Sequence, residues 1–374
     1  MSNPFRFREL SPGDPFCNRL QEQERLLSCG HAAANVVLFS PRRYGKTSLT
    51  RRVQAQLSER GFVTVYVDFF GVSSVYEVAS RIARSVYRAL HQRESLLKKG
   101  KRFLKSFKTF RPVFKATEDG FGITVEPIPF SEDHIQLLDN VMQELGDFAV
   151  NGGFGVNVVF DEFQEITRLK ESPEVEGRLR ASIQRQKVSY FFVGSRRGIL
   201  LAMFNDRKRP FFQSAIMLPL GPLKQEHLVP FLIENFKGAG KQCDRMISQM
   251  IIDAVANHPY YVQRLAFEIF ELSGKRITKN DVDIGLENVL QSERFGYEAV
   301  LQGLSHPQIR LLKLLAEAPC PSLFSSRFVS RNALPLATIQ HAKKKLVEQD
   351  LIEKDENGTW RVVDPVFAVW LERL

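Results

Sequence analysis

Apolar runs and amphipathic stretches alternate along the first half of the chain. The run NVVLF (Asn35–Phe39) is apolar from Val36 to Phe39, as in a strand covered on both faces. From Gly45 the segment KTSLTRRVQAQLSER has helical periodicity and stops at Gly61. The β-branched and aromatic segment Phe62–Phe70 predicts a second strand, and Val75, Val78, Ile82, Val86 and Leu90 mark one face of a second helix. Further on, EDHIQLLDNVMQELGDFAV reads as a helix, VNVVFDEFQEI as a strand and RLRASIQRQ as a helix. VSYFFVGSRRGILLAMF reads as a strand and turn, and AIMLPLGPL as a fifth strand. Strands alternating with helices predict a parallel sheet with helices on its faces.

The rhythm breaks at about residues 92–130, which reads as an insertion. There KKGKRFLKSFKTFRPVFK interleaves Phe103, Phe107, Phe110 and Phe114 with basic residues, and GFGITVEPIPF looks like a strand or hairpin. Beyond Lys224 the pattern is helical: QEHLVPFLIENFKG, ISQMIIDAVANHPYYVQRLAFEIFELSG and KNDVDIGLENVLQ. From His306, two helical segments precede IEKDENGTWRVVD, where Asn357-Gly358 between alternating residues signals a hairpin. Two helices and a two-stranded wing describe a winged helix-turn-helix. The expected limits are therefore a core over 1–222, a helical domain over 223–304 and a winged helix over 305–374.

Composition narrows the classes. The chain has 374 residues, 44% hydrophobic and 25% charged, as folded soluble proteins do. No apolar run is long enough to span a bilayer, and the amino terminus lacks an apolar signal core, so a cytoplasmic protein with no membrane contact is expected. The four cysteines are scattered and the seven histidines show no HExxH spacing, which argues against a disulfide framework or a catalytic zinc. The formal charge of +10 makes a polyanionic partner worth weighing.

Chemistry enters at SPRRYGKTSL, residues 40–49. A phosphate cradle needs inward N–H groups at a tight turn and a following helix whose dipole favours anions. It also needs a lysine for the outer phosphates and a hydroxyl for magnesium. Gly45 permits the turn, Lys46 is the clamp and Thr47 the magnesium ligand, followed by Ser48; Pro41, Arg42, Arg43 and Tyr44 complete the loop. Ser40 stands where such loops usually carry glycine, and Pro41 holds it extended, so positive φ is not expected at the loop's entry. A second apolar strand ends in Asp161-Glu162, the pattern for a carboxylate on magnesium and a general base for water. A third strand ends at Ser195 and Arg196, which either sense the γ-phosphate or form a basic surface turn.

With these motifs the chain resembles the archaeal-type ATPase family, in the signal-transducing STAND branch of P-loop NTPases related to AAA+ and origin-recognition ATPases. The resemblance extends over nearly the whole chain: FCNRLQEQERL, SPRRYGKTSL, VVFDEFQEI, FFVGSRRGIL, RPFF, NHPYYVQRL and DPVFAVWL. The family usually has Gly-Pro-Arg-Arg where this chain has Ser40-Pro41-Arg42-Arg43. The resemblance implies an α/β P-loop core with a five-stranded parallel sheet, a helical lid and a winged helix. It implies ATP or ADP with Mg2+ between core and lid, and an adenine pocket lined by Phe16 to Arg19 and by His258-Pro259. Arg264 is then either a lid sensor for phosphate or part of a helix whose tyrosines, Tyr260 and Tyr261, serve the core. In AAA+ relatives an arginine before the fifth strand completes a neighbour's site; Arg207 and Arg209 occupy that stretch and hint at self-assembly.

Two basic surfaces leave alternatives open. The Phe-interleaved segment either tracks nucleic acid by stacking or is an apolar helix face, the commoner cause of such spacing. In TIQHAKKK, His341, Lys343, Lys344 and Lys345 lie where a recognition helix meets DNA, yet such modules also pack as regulators. The expected function is an ATP-hydrolysing molecular switch with a protein partner. A DNA-binding ATPase and a scaffold with a structural nucleotide stand as the other readings.

Overall fold

The computed structural model describes residues 2–11, 13–91, 108–117, 120–128, 133–325, 328–329, 335–355 and 357–374. Two compact units are present. One comprises Arg19–Arg42 and Lys46–Leu220; the other Met1–Asn18, Arg43–Gly45 and Gly221–Leu374.

The first unit is built on a five-stranded parallel sheet. Its strands are β1 (Val36–Phe39), β2 (Val63–Asp68), β5 (Val156–Asp161), β6 (Ser189–Gly194) and β7 (Ile216–Pro219), in the order β2-β5-β6-β1-β7. The strands buried along their whole length, β1, β5 and β6, lie inside, as uninterrupted apolar runs require. Edge strand β2 alternates: Val63, Val65 and Val67 face the core, while Thr64, Tyr66 and Asp68 face away. Helix Val75–His91 buries Val78, Ile82, Val86 and Leu90, the face its spacing predicted. Each such side chain contributes about 2 kcal/mol of burial. A second helix, His134–Gly152, is capped by Asp133, which accepts from the N–H groups of Ile135 and Gln136. The segment after β6, read from sequence as a turn, becomes a helix at Arg197–Asn205.

Between these helices lies an antiparallel hairpin, β3 (Phe110–Thr117) and β4 (Gly120–Pro127), with Phe110 opposite Pro127. The hairpin reading of the second half holds. The helix-face reading does not hold for Phe110 and Phe114, which lie in a strand; Phe103 and Phe107 are outside the described residues. Three- and four-residue spacing of phenylalanine is compatible with either element, and here tertiary pairing decides. Glu144 Oε1 accepts from the N–H of Lys108 and of Thr109 and from the Thr109 hydroxyl (2.7, 2.9 and 2.8 Å), which anchors the hairpin's base.

The second unit is helical and ends in the winged fold. Helices Gln225–Gly238, Arg245–Ala254, Pro259–Leu272 and Lys279–Gln302 are followed by His306–Glu317 and Leu336–Glu348. A two-stranded wing pairs β8 (Ile352–Lys354) with β9 (Trp360–Val362), and helix Pro365–Glu372 closes the chain. Gly358 takes φ 80° in the turn that Asn-Gly announced. The helical stretch after Arg245 divides at Ala256 and Asn257, both left-handed (φ 48° and 60°). One apolar core joins the whole unit, from Phe5, whose ring lies 4.5 Å from that of Phe236, to Leu371. Among the described residues no helix is long and apolar enough to cross a membrane.

Candidate functional site

In the parallel sheet, Phe39 is level with Gly194 and Pro219, and Asp68 with Asp161. The residues that follow β1, β5 and β6 therefore emerge at one edge. Ligands of open α/β sheets bind at this carboxyl edge, beside a strand whose neighbours connect in opposite directions.

The loop after β1 leads into helix Lys46–Glu59. Positive φ falls at Arg43 (64°) and Gly45 (85°) rather than at Ser40, as expected from Pro41. At Gly45 an added Cβ would touch nothing, so glycine is required there by backbone conformation alone. The first turn of the helix carries no acidic side chain, and a helix start favours an anion. The Lys46 ammonium is buried and turned back into the loop, donating to the carbonyls of Ser40 (3.1 Å) and Pro41 (2.9 Å) and to Ser40 Oγ (3.2 Å). Ser40, the departure from the glycine pattern, thus adds an acceptor for the lysine. Arg42 is exposed and Ser48 buried.

Thr47 Oγ1 donates to Asp161 Oδ2 at 3.0 Å, which brings the two residues named for magnesium side by side. The Tyr66 hydroxyl donates to the same oxygen, with the Arg51 guanidinium 3.5 Å over its ring. Burial raises Asp161 above the ordinary carboxylate range, against the hydrogen bond from Tyr66, which favours the anion. Among the described residues no group of three or more His, Cys, Asp or Glu is placed so as to hold a metal ion. A hydroxyl and a carboxylate fit magnesium, which takes one or two protein oxygens and completes its shell with phosphate and water.

Glu162 has left-handed backbone (φ 48°) where β5 passes into a 3₁₀ turn, Phe163–Arg168. Its Oε2 accepts from Ser195 Oγ (3.1 Å) and from Gln164 Nε2. Ser195 is buried, and Arg196 is the N-cap residue of helix Arg197–Asn205. The structure therefore joins Thr47 to Asp161 and Glu162 to Ser195, pairings drawn from three separate strand ends. Arg19 belongs to this unit and pairs with Glu22 at 2.9 Å. Sequence reasoning missed Tyr66 and Gln164. The alternation of β2 was the available signal for Tyr66; nothing in the sequence singled out Gln164.

Phe16, Arg43–Gly45, His258 and Pro259 belong to the helical unit. There Arg43 lies over the Tyr260 ring (4.3 Å), donates to the Tyr261 hydroxyl (3.4 Å) and pairs with Glu293 (3.5 Å). Tyr261 donates to Asp364 (2.5 Å), the cap of the final helix. His258 packs between the rings of Tyr44 (4.7 Å) and Tyr261 (4.9 Å). Arg264 pairs with Glu268 at 2.6 Å beneath Phe7. Arg209 is held by the buried Glu176 through two hydrogen bonds, whereas Arg207 is exposed. In the winged fold Lys343 sits over Phe324 and Trp360 (5.2 and 4.7 Å), Lys345 pairs with Glu348 (3.4 Å), and Lys344 is exposed.

Sheet order, phosphate-type loop and acidic strand end define an α/β fold of the P-loop NTPase type, with a C-terminal winged helix. The "Probable winged helix domain" family model matches residues 295–373. The structure is similar to a Walker-type ATPase of Pyrococcus abyssi at TM-score 0.71 and 18% identity, over 99% of this chain and 100% of that one. It is also similar to the ORC2 protein of Aeropyrum pernix in its ADPNP–ADP complexes, at TM-score 0.59 and 15% identity, over 98% and 97% of the two chains. Likeness at these identities is likeness of fold. No curated protein matches the sequence.

Proposed function

We propose that this protein is a magnesium-dependent ATPase that works as a slow molecular switch. The observation that carries the reading is the meeting of Thr47 with Asp161, and of Glu162 with Ser195, at the carboxyl edge of the sheet. Adenine nucleotide is supported by the fold shared with the ORC2 protein, whose structure holds ADPNP and ADP.

In this reading the helix start and the Lys46 ammonium bind the outer phosphates, with Lys46 exchanging its bonds to Ser40 and Pro41 for phosphate oxygens. Thr47 and Asp161 would hold Mg2+, which offsets phosphate charge in phosphoryl transfer. Glu162 accepts a proton from the attacking water, and Ser195 and Arg196 lie at the strand end assigned to the γ-phosphate. The switch reading draws on Arg43, which shares its loop with Lys46 and touches Tyr260, Tyr261 and Glu293, with Tyr261 bonded to Asp364 before the last helix.

The test is magnesium-dependent ATP binding and phosphate release for wild type, Lys46→Ala and Glu162→Gln. Binding is expected to be lost in the first variant. The second is expected to bind but to release phosphate roughly 100-fold or more slowly, as for loss of a general base. A wild type that binds ATP without releasing phosphate would favour the scaffold reading.

A further inference from the structure

We propose that Gln164 is a positioning residue for Glu162, and that Gly194 is glycine because Gln164 lies against it. The proposal rests on the ATPase reading and assigns Gln164 no contact with nucleotide.

Gln164 is almost fully buried (1% exposed), yet it is polar and sits in the 3₁₀ turn directly after the acidic strand end. A buried amide costs folding free energy unless its groups are matched. Its Nε2 donates to Glu162 Oε2; since a carboxylate only accepts, that bond fixes which end of the amide is nitrogen. Its Oε1 is buried with no hydrogen-bond partner among the described residues, and it faces Gly194. A Cβ on Gly194 would stand 1.9 Å from that oxygen, and 2.7 Å from Leu200 Cδ1. β6, which ends at Gly194, thus leaves an opening one methyl wide, which Gln164 fills.

The result is asymmetric for Glu162. Ser195 and Gln164 both donate to Oε2, while Oε1 takes no hydrogen bond among the described residues. One oxygen is pinned and the other is left to accept a proton from water. A base displaced by about 1 Å loses on the order of 100-fold in rate, so such an anchor acts on turnover rather than on binding.

The experiment compares wild type, Gln164→Met, Gly194→Ala and the double variant Gly194→Ala/Gln164→Ala. It measures kcat, KM for ATP and the nucleotide-free melting temperature of each. Gln164→Met keeps the volume and removes the donor; kcat is expected to fall roughly 10- to 100-fold with KM and Tm unchanged. Gly194→Ala is expected to lower both kcat and Tm. In the double variant the new methyl still meets the end of the Leu200 side chain, which can shift into the space Gln164 leaves, so Tm recovers while kcat stays low. If kcat recovers together with Tm, or if Gln164→Met turns over like wild type, Gln164 only fills space and the proposal is overturned. Absence of phosphate release from wild type itself sinks the ATPase reading, and this proposal with it.

Discussion

Ser40 departs from the glycine pattern and adds one side-chain acceptor for Lys46. Where phosphate loops usually have glycine, its hydroxyl joins two carbonyls in holding the Lys46 ammonium. Those bonds must break before the lysine reaches a phosphate. Ser40→Gly removes one of them and leaves the two carbonyls in place. Losing a long hydrogen bond of about 1 kcal/mol corresponds to roughly fivefold tighter ATP binding, measurable by calorimetry. Equal or weaker binding would show that the hydroxyl does not restrain the lysine. Glu162 is a second case at this scale: a non-glycine residue with φ 48° stores strain where the acidic strand ends.

Among the elements, the final helix is instructive. Asp364 caps it by accepting from the N–H groups of Val366 (2.9 Å) and Phe367 (3.0 Å), and it also receives the Tyr261 hydroxyl. Burial raises its pKa above the usual 3.8, against the hydrogen bonds from Tyr261, Phe367 and Val366. A carboxyl whose folded pKa exceeds its unfolded one binds protons better when folded, so its contribution to stability grows as pH falls through the raised value toward 3.8. Asp364→Asn removes that dependence. The Tm of wild type relative to Asp364→Asn is therefore expected to rise as pH is lowered from neutral toward 4, in paired thermal melts. A difference independent of pH would mean that Asp364 keeps its ordinary pKa on folding.

For the whole molecule, the formal charge of +10 raises the matter of polyanions. In the winged fold the groove lined by Ser305, Gln308, Thr338, His341 and Lys344 is the surface that favours a DNA reading. Of the three lysines first named for DNA, Lys343 lies over two aromatic rings and Lys345 pairs with Glu348. Lys344 is thus the residue to vary. If this face meets duplex DNA, affinity falls with salt, and Lys344→Ala makes the log–log salt slope shallower by about 0.9. An unchanged slope would remove Lys344 from any DNA contact and count against the DNA reading.

Much of this protein is written locally. Uninterrupted apolar runs placed the inner strands, which are covered on both faces, and a period near four placed the helices, each of which buries one face. Gly45, Lys46, Thr47, Asp161 and Glu162 stood out as candidates because a Gly-Lys-Thr helix start and a later apolar strand ending in Asp-Glu seldom occur together by chance. Spacing could not separate strand from helix at Phe110 and Phe114, where pairing with Gly120–Pro127 prevails. Nor could it show that Ser40 would bind Lys46, that Tyr66 would reach Asp161, or that Gln164 would fill the space above Gly194. Those partners are joined only when strands distant in sequence lie side by side. Sequence by itself determined most of the core elements and which residues are candidates for chemistry. Tertiary structure decided which oxygen and which nitrogen meet, because hydrogen bonds act over about 3 Å and no local pattern encodes so short a distance between remote residues.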